Sequence, residues 1–217
     1  ALGKTLSGGR IVEHSGTGSW TGGGGLSAVT SGTLRLVSGT FTVGDTGGAQ
    51  SAGGPLTVDI GAGATLRKGN GTNSTGFSSG VTSVTNAGTV DITSGTLSIG
   101  SSGYKQTSGL TSLTGGSLTV AGTLTLAGGS LTGTGTVTAT TVSNTGGQVG
   151  PGLSPGTLTI TGAYTQGASG TLNIEIGGTT VGTQYDRLAI SGLATLNGTL
   201  VGTLISGFTP SIGNSFT

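Results

Sequence analysis

The sequence contains no cysteine and no methionine, and only 6% of its 217 residues are charged. Without cysteine, disulfide frameworks and thiolate metal sites are excluded. The net charge of +1 argues against nucleic acid as a partner, because nucleic acid binding requires clustered lysine and arginine. No apolar run approaches the roughly 18 residues of a membrane helix, so we expect a soluble, exported chain without a membrane-spanning segment.

Aromatic residues make up only 4% of the chain, whereas glycine accounts for 50 residues. Because the glycines follow no strict three-residue period, collagen is excluded. Disorder is disfavoured because the mean hydropathy is positive, the charges are few and the aliphatic residues are regularly spaced. The composition therefore predicts a folded, elongated protein in which each unit packs only on its neighbours.

Short apolar alternations run through residues 115–162. In Leu118–Val120, Leu124–Leu126 and Val137–Ala139, two apolar residues enclose one threonine. A period of two is typical of strands that have one buried face. Each strand has only two or three inward positions, so we expect the strands to be stabilised by stacking on their equivalents in the next coil.

Apolar residues also recur at intervals of 19 to 22 residues, at Leu34, Leu56, Phe77, Leu97, Leu118, Val137 and Leu158. Three short strands and three turns per interval predict an all-β fold, a right-handed parallel β-helix with three sides and roughly ten coils. We assign residues 31–217 to this β-helix, with a more specialised portion from about residue 163, and residues 1–30 to an N-terminal cap or assembly segment. Residues 69–80 are predicted to form a loop that leaves the body, with Phe77 turned inward.

Apolar residues near both ends of the chain are candidates for assembly contacts. They are Ile11, Val12 and Trp20 near the start, and Phe208, Ile212 and Phe216 near the end. An end coil without a cap presents unpaired backbone groups, which are a template for another chain. We therefore expect copies of this chain to join head to tail into fibres.

Six acidic residues and one histidine provide little material for an active site. Asp59 and Asp91 could approach each other on one face, as a polysaccharide-degrading β-helix enzyme would require, but we favour solvated carboxylates. We also expect His14 at the surface, and Asp186 as the cap of a corner, because Asp186 and Arg187 are adjacent on a strand and point to opposite faces. The sequence therefore predicts no catalytic residue, no cofactor and no metal site.

Serine and threonine pairs occupy outward positions at Ser117/Thr119, Thr123/Thr125, Ser130/Thr132, Thr136/Thr138 and Thr157/Thr159. Stacked on one flat face, such pairs would form the hydroxyl and methyl lattice of an ice-binding or carbohydrate-binding solenoid. The candidates for that face are Thr123, Thr125, Thr157 and Thr159. The spacing of six to seven residues, however, places these five pairs on different sides. The alternative is that threonine is simply favoured on any exposed strand face.

Three segments carry a family resemblance: GGSLTVAGTLTLAGGSLTGTGTVTATT, VGPGLSPGTLTITGAYTQGASGTLNIEIGG and YDRLAISGLATLNGTLVGTLISGFTPSIGNSFT. Residues 94–217 resemble the autotransporter-associated β-strand repeat family. The resemblance implies a parallel β-helix, export to the bacterial surface or the extracellular space, and a structural role as a stalk, an adhesin passenger or a filament subunit. It defines no catalytic residue, and it leaves surface glycans or host cell surfaces as candidate partners beside the chain itself.

Overall fold

The computed structural model describes residues 4–20, 26–44, 55–77, 80–100 and 103–217, and every regular element within them is a strand. The strands are β1 (Lys4–Leu6), β2 (Arg10–Ser15), β3 (Gly18–Trp20), β4 (Leu26–Ala28), β5 (Gly32–Val43), β6 (Leu56–Lys68), β7 (Ser74–Phe77), β8 (Val81–Asn86), β9 (Thr89–Ile92), β10 (Thr96–Ile99), β11 (Tyr104–Gln106), β12 (Leu110–Leu113), β13 (Ser117–Val120), β14 (Thr123–Leu126), β15 (Ser130–Gly133), β16 (Thr136–Asn144), β17 (Gln148–Pro151), β18 (Thr157–Gln166), β19 (Thr171–Ile176), β20 (Arg187–Ile190), β21 (Ala194–Thr195) and β22 (Thr199–Leu204).

The strands pair in parallel along three faces of a solenoid. Face A contains β2, β5, β6, β8, β11, β14, β16, β18 and β21. Face B contains β3, β5, β6, β9, β12, β15, β17, β19 and β22. Face C contains β7, β10, β13, β16, β18 and β20, and β1 and β4 form a separate parallel pair. The predicted all-β, three-sided parallel solenoid is confirmed, whereas its hand and the number of coils stay predictions.

The spacing between stacked residues is wider at both ends than the predicted 19 to 22. In the middle, Leu97 pairs with Leu118 and Leu118 with Val137. Earlier in the chain Leu34 pairs with Val58, 24 positions away, and not with Leu56. Near the other end Leu158 pairs with Leu188, 30 positions away. The predicted register is therefore wrong outside the middle of the solenoid.

Residues 74–77 belong to the solenoid wall and not to a loop. They form β7, which pairs with β10 on face C. Phe77 pairs with Ile99 and is buried, which confirms its inward position. The loop prediction for residues 74–77 is wrong because Thr75 and Phe77 are both buried at inward strand positions, while Ser74 faces outward. Residues 78 and 79 lie outside the described part of the chain.

The boundary predicted at residue 30 stays a prediction. Strands β2 and β3, which precede it, already pair with β5 on faces A and B.

A single aliphatic core runs along the inside of the solenoid. Leu124, for example, pairs with Tyr104 on one side and with Val142 on the other, and all three side chains are buried. Removing one such aliphatic side chain from water contributes about 1.5–3 kcal/mol. Because each turn covers the core of the next, short strands become stable only in the stack.

Candidate functional site

Asp59 and Asp91 each pair with a different arginine. Asp59 lies on face A, where its Oδ2 accepts a hydrogen bond from Arg35 Nε at 3.4 Å. Asp91 lies on face B, where its Oδ2 accepts a hydrogen bond from Arg67 Nε at 2.9 Å. The hypothesis that Asp59 and Asp91 approach each other on one face is therefore wrong, because the corner of β6 separates them.

Asp186 caps a corner near the C-terminal end, as the sequence predicted. Its side chain is buried; Oδ1 accepts the N–H of Gly156 at 2.8 Å, and Oδ2 accepts the N–H of Glu175 at 2.9 Å. Burial raises the pKa of Asp186, and the two backbone hydrogen bonds partly offset the increase. The adjacent Arg187 is exposed, so the two side chains form no pair.

His14 is partly buried and does not lie freely on the surface as expected. Its ring packs edge to face on Phe41, with 5.0 Å between the ring centroids, and Nε2 lies 3.2 Å from the carbonyl oxygen of Gly16. Because His14 pairs with the inward Leu36, it occupies an interior position of the first turn on face A.

Four buried amide side chains that were not predicted from the sequence form what we call the amide ladder: Asn86, Gln106, Asn144 and Gln166. All four are at most 4% exposed. They lie at stacked positions of face A, where Asn86 pairs with Gln106 and Asn144 with Gln166. Leu126 fills the position between the two amide pairs.

The amide ladder holds the corners between faces A and B. Gln106 Nε2 donates to the carbonyl of Ser130 at 2.9 Å, and its Oε1 accepts the hydroxyl of Thr111 at 2.6 Å. Gln166 Nε2 donates to the carbonyl of Asn197 at 2.6 Å, one turn further along. Buried backbone carbonyls need such partners, because an unpaired polar group inside a protein is costly.

The sequence did contain a signal for this ladder. Each amide closes an alternating strand and is followed within three positions by glycine, in the segments NAG, QTSG, NTG and QG. Two buried tyrosines lie beside the amides: Tyr104 Oη contacts the hydroxyl of Thr111, and Tyr164 Oη donates to Gln166 Oε1 at 2.8 Å. Burial raises the pKa of both tyrosines.

The candidate threonines for a flat face lie on two different faces. Thr123 and Thr125 belong to face A, whereas Thr157 and Thr159 belong to face C. These four residues therefore do not share one flat face, and the expectation from their spacing, that the pairs fall on different sides, is confirmed for them.

A different set of hydroxyl residues does share face C, and we call it the hydroxyl surface: Thr96, Ser98, Ser117, Thr119, Thr136, Thr138, Thr159 and Thr161. Thr96 pairs with Ser117, Thr119 with Thr138, and Thr138 with Thr161. Stacked strands lie about 4.8 Å apart and alternate residues about 6.7 Å apart, so the side chains form a regular two-column grid. Two of the predicted pairs, Ser117/Thr119 and Thr136/Thr138, belong to it.

The predicted assembly residues differ in their exposure. At the first turn, Trp20 is partly buried and packs on Phe41, whereas Ile11 and Val12 are exposed. At the other end, Phe216 packs edge to face on Tyr185, with 5.2 Å between the ring centroids.

Phe208 packs on Phe216, with 6.4 Å between the ring centroids, but Ile212 is fully exposed. Ile212 therefore does not cover the last turn, and its role as an assembly contact stays a prediction.

Comparisons with protein-family models, with curated proteins and with solved structures returned no match. Within the described ranges, no three histidine or acidic side chains are grouped so that they could hold a metal ion. The same ranges contain no helix with the length and hydropathy that a membrane crossing requires. The resemblance to the autotransporter repeat family stays a prediction.

Proposed function

We propose that this chain is a non-enzymatic structural protein of the bacterial surface or the extracellular space, a solenoid stalk or adhesin passenger. The observation that carries the proposal is the unbroken run of parallel strand pairing along faces A and B over one continuous core. Such a stack is a rigid spacer, because bending it would break backbone hydrogen bonds in several turns together. The family resemblance supports export and a surface location.

The test uses cells that express the full natural protein, together with the purified chain. Antibodies against the chain should label intact cells or the growth medium, and the purified chain should release no products from a panel of polysaccharides. Labelling confined to broken cells would overturn the surface location. Product release that disappears in an Asp59, Asp91 and Asp186 triple variant would overturn the non-enzymatic role.

We also propose that copies of the chain join head to tail. The support is that β20, β21 and β22 at one end, and β2 and β3 at the other, each pair on one side only among the described residues. Free strand edges of this kind are templates for further strands.

Binding of ice or of carbohydrate is a second candidate function, which the hydroxyl surface on face C favours. Its grid presents hydroxyl and methyl groups at regular spacing. The grid itself carries no charge, because Lys105, the one charged residue between Thr96 and Thr161, lies on face A. Such a grid suits an ordered layer of water or the hydroxyls of an extended glycan.

Thermal hysteresis and glycan-array binding test this candidate. Thr119→Tyr and Thr138→Tyr should abolish either activity, because the added rings break the grid at its centre. Thr125→Tyr on face A is the matched control and should leave the activity unchanged. Wild-type protein that neither depresses the freezing point nor binds any glycan would exclude this function.

A further inference from the structure

A gap interrupts a column of outward side chains on face B. Thr132 on β15 pairs with Gly150 on β17, and the column resumes on β19 at Asn173, whose neighbour Leu172 pairs with Val149. Gly150 has no positive φ, and a Cβ at this position would meet only Thr132 Cγ2, at an ordinary contact distance of 3.7 Å. Neither the backbone nor the packing therefore requires glycine here, and the missing side chain leaves a hollow in the side wall of the solenoid.

The hollow is part of a depression of about 330 Å³. Residues 151–156, which we call the corner loop, form one of its walls, and β19 forms another. The polar side chains of Thr132, Asn173 and Glu175 line it. Leu153, in the corner loop, is 56% exposed and adds an aliphatic surface. The volume lies at the lower end of the range for small-molecule sites, so it suits a ligand of about one ring.

Asp186 fixes the two walls relative to each other. Its Oδ1 accepts the N–H of Gly156 in the corner loop at 2.8 Å, and its Oδ2 accepts the N–H of Glu175 on β19 at 2.9 Å. The Asp186 N–H in turn donates to the carbonyl oxygen of Glu175 at 2.9 Å. Because this carboxylate is buried and both its oxygens are engaged, the walls are in place before a ligand arrives, which lowers the cost of binding.

Polar groups of the depression are available to a ligand. The Glu175 carboxylate and the Thr132 hydroxyl form no hydrogen bond or ion pair with any other residue that the structure describes. Asn173 Nδ2 donates to Gln148 Oε1 at 3.2 Å, which orients the Asn173 amide and leaves its oxygen as an acceptor. The depression thus presents a carboxylate, an amide and a hydroxyl beside one aliphatic side chain.

We propose that this depression on face B binds one pyranose ring of a neutral glycan. A carboxylate accepts hydrogen bonds from two neighbouring sugar hydroxyls, and an amide both donates and accepts. The apolar C–H face of the ring packs on Leu153. The negative charge of Glu175 repels a uronate or another acidic sugar. The inference rests neither on the proposed surface location nor on the hydroxyl surface, since the site lies on the side wall of face B.

Titration of the isotopically labelled full chain with sugars, followed by nuclear magnetic resonance, tests the site. The probes are the methyl glycosides of glucose, galactose, mannose and N-acetylglucosamine, with glucuronate as the acidic comparison. At least one neutral glycoside should shift the amide signals of Gly150, Leu153 and Glu175 in a saturable manner. Glucuronate should shift none of them, and the signals of Thr119 and Thr138 on face C should not move.

Substitutions identify the residues that bind. Gly150→Tyr fills the hollow and should abolish the saturable shifts without lowering the melting temperature, because its Cβ meets no close atom. Glu175→Ala should weaken binding by about tenfold or more, since it removes a charge-assisted hydrogen bond. Glu175→Gln should lose the discrimination against glucuronate. Thr125→Tyr on face A is the matched control for an added ring and should leave the affinity unchanged.

The possible results separate this site from the other proposals. Wild-type affinity in Gly150→Tyr or in Glu175→Ala would refute the site, as would a stronger response to glucuronate than to every neutral glycoside. If circular dichroism shows that Gly150→Tyr is unfolded, Leu153→Ser replaces it, because that exposed side chain can be changed without disturbing the core. Saturable shifts confined to Thr119 and Thr138 would place the sugar on the hydroxyl surface and refute this inference. If no neutral glycoside binds, the site is wrong while the structural role stands.

Discussion

Replacement of Gln106 by leucine tests whether the amide ladder holds the corners of the solenoid. Gln106 is fully buried, and its amide bonds the Ser130 carbonyl and the Thr111 hydroxyl. Leucine has a similar volume, and Leu126 already occupies the paired position on the next turn. The substitution therefore removes hydrogen bonds without requiring a new shape.

The expected loss follows from the carbonyls that lose their side-chain donor, because Gln106 Nε2 lies 2.9 Å from the Ser130 oxygen and 3.3 Å from those of Gly109 and Gly128. A buried polar group that loses its partner costs about 1–3 kcal/mol. The Thr111 hydroxyl keeps its contact with Tyr104. The lost bonds, partly offset by the greater apolar character of leucine, lower the free energy of unfolding by about 2–4 kcal/mol. For a chain of this size, that change corresponds to a Tm lower by about 5–15 °C.

Urea denaturation and amide hydrogen exchange measure the effect of Gln106→Leu. Exchange should accelerate first in β11, β12 and β15, because stability in a stacked protein is shared between neighbouring turns. Lys105→Leu, at the exposed adjacent position, is the control and should change stability by less than about 0.5 kcal/mol. A loss for Gln106→Leu no greater than that of the control would refute the reasoning.

Two further substitutions test a corner and a buried carboxyl. Gly109→Ala should destabilise the protein by more than about 2 kcal/mol in urea denaturation, because φ is +68° and the new Cβ would overlap the carbonyl of Gly88. Gly202→Ala is the control, because no atom lies within 4 Å of the position that its Cβ would take. Equal losses of stability in the two variants would contradict the corner argument. The pKa of Asp186 is raised in the fold, so wild-type stability relative to Asp186→Asn should fall as the pH rises from 3.8 through that raised pKa. If the stability of wild type relative to Asp186→Asn stays constant or rises with pH, the raised pKa is contradicted.

The sequence alone identified much of the fold and part of the site. Alternation around Leu118 and Leu124 predicted short strands with one buried face, and both side chains are buried. Asp186 was recognised as a corner cap because its neighbour Arg187 points to the opposite face. The amide ladder was missed because a polar residue beside glycine, asparagine above all, is also typical of an exposed turn.

The sequence thus decided which side chains of each strand face the core and which face solvent, since a strand alternates its side chains with a fixed local period of two. Only the tertiary structure decided which residues stack. The offset between paired residues ranges from 18 positions, between Ser130 and Gln148, to 30, between Leu158 and Leu188. That offset is the summed length of all strands and corners around one turn, so a small difference at any corner moves a residue to another face. For this reason the hydroxyl surface follows from the fold and not from the local pattern.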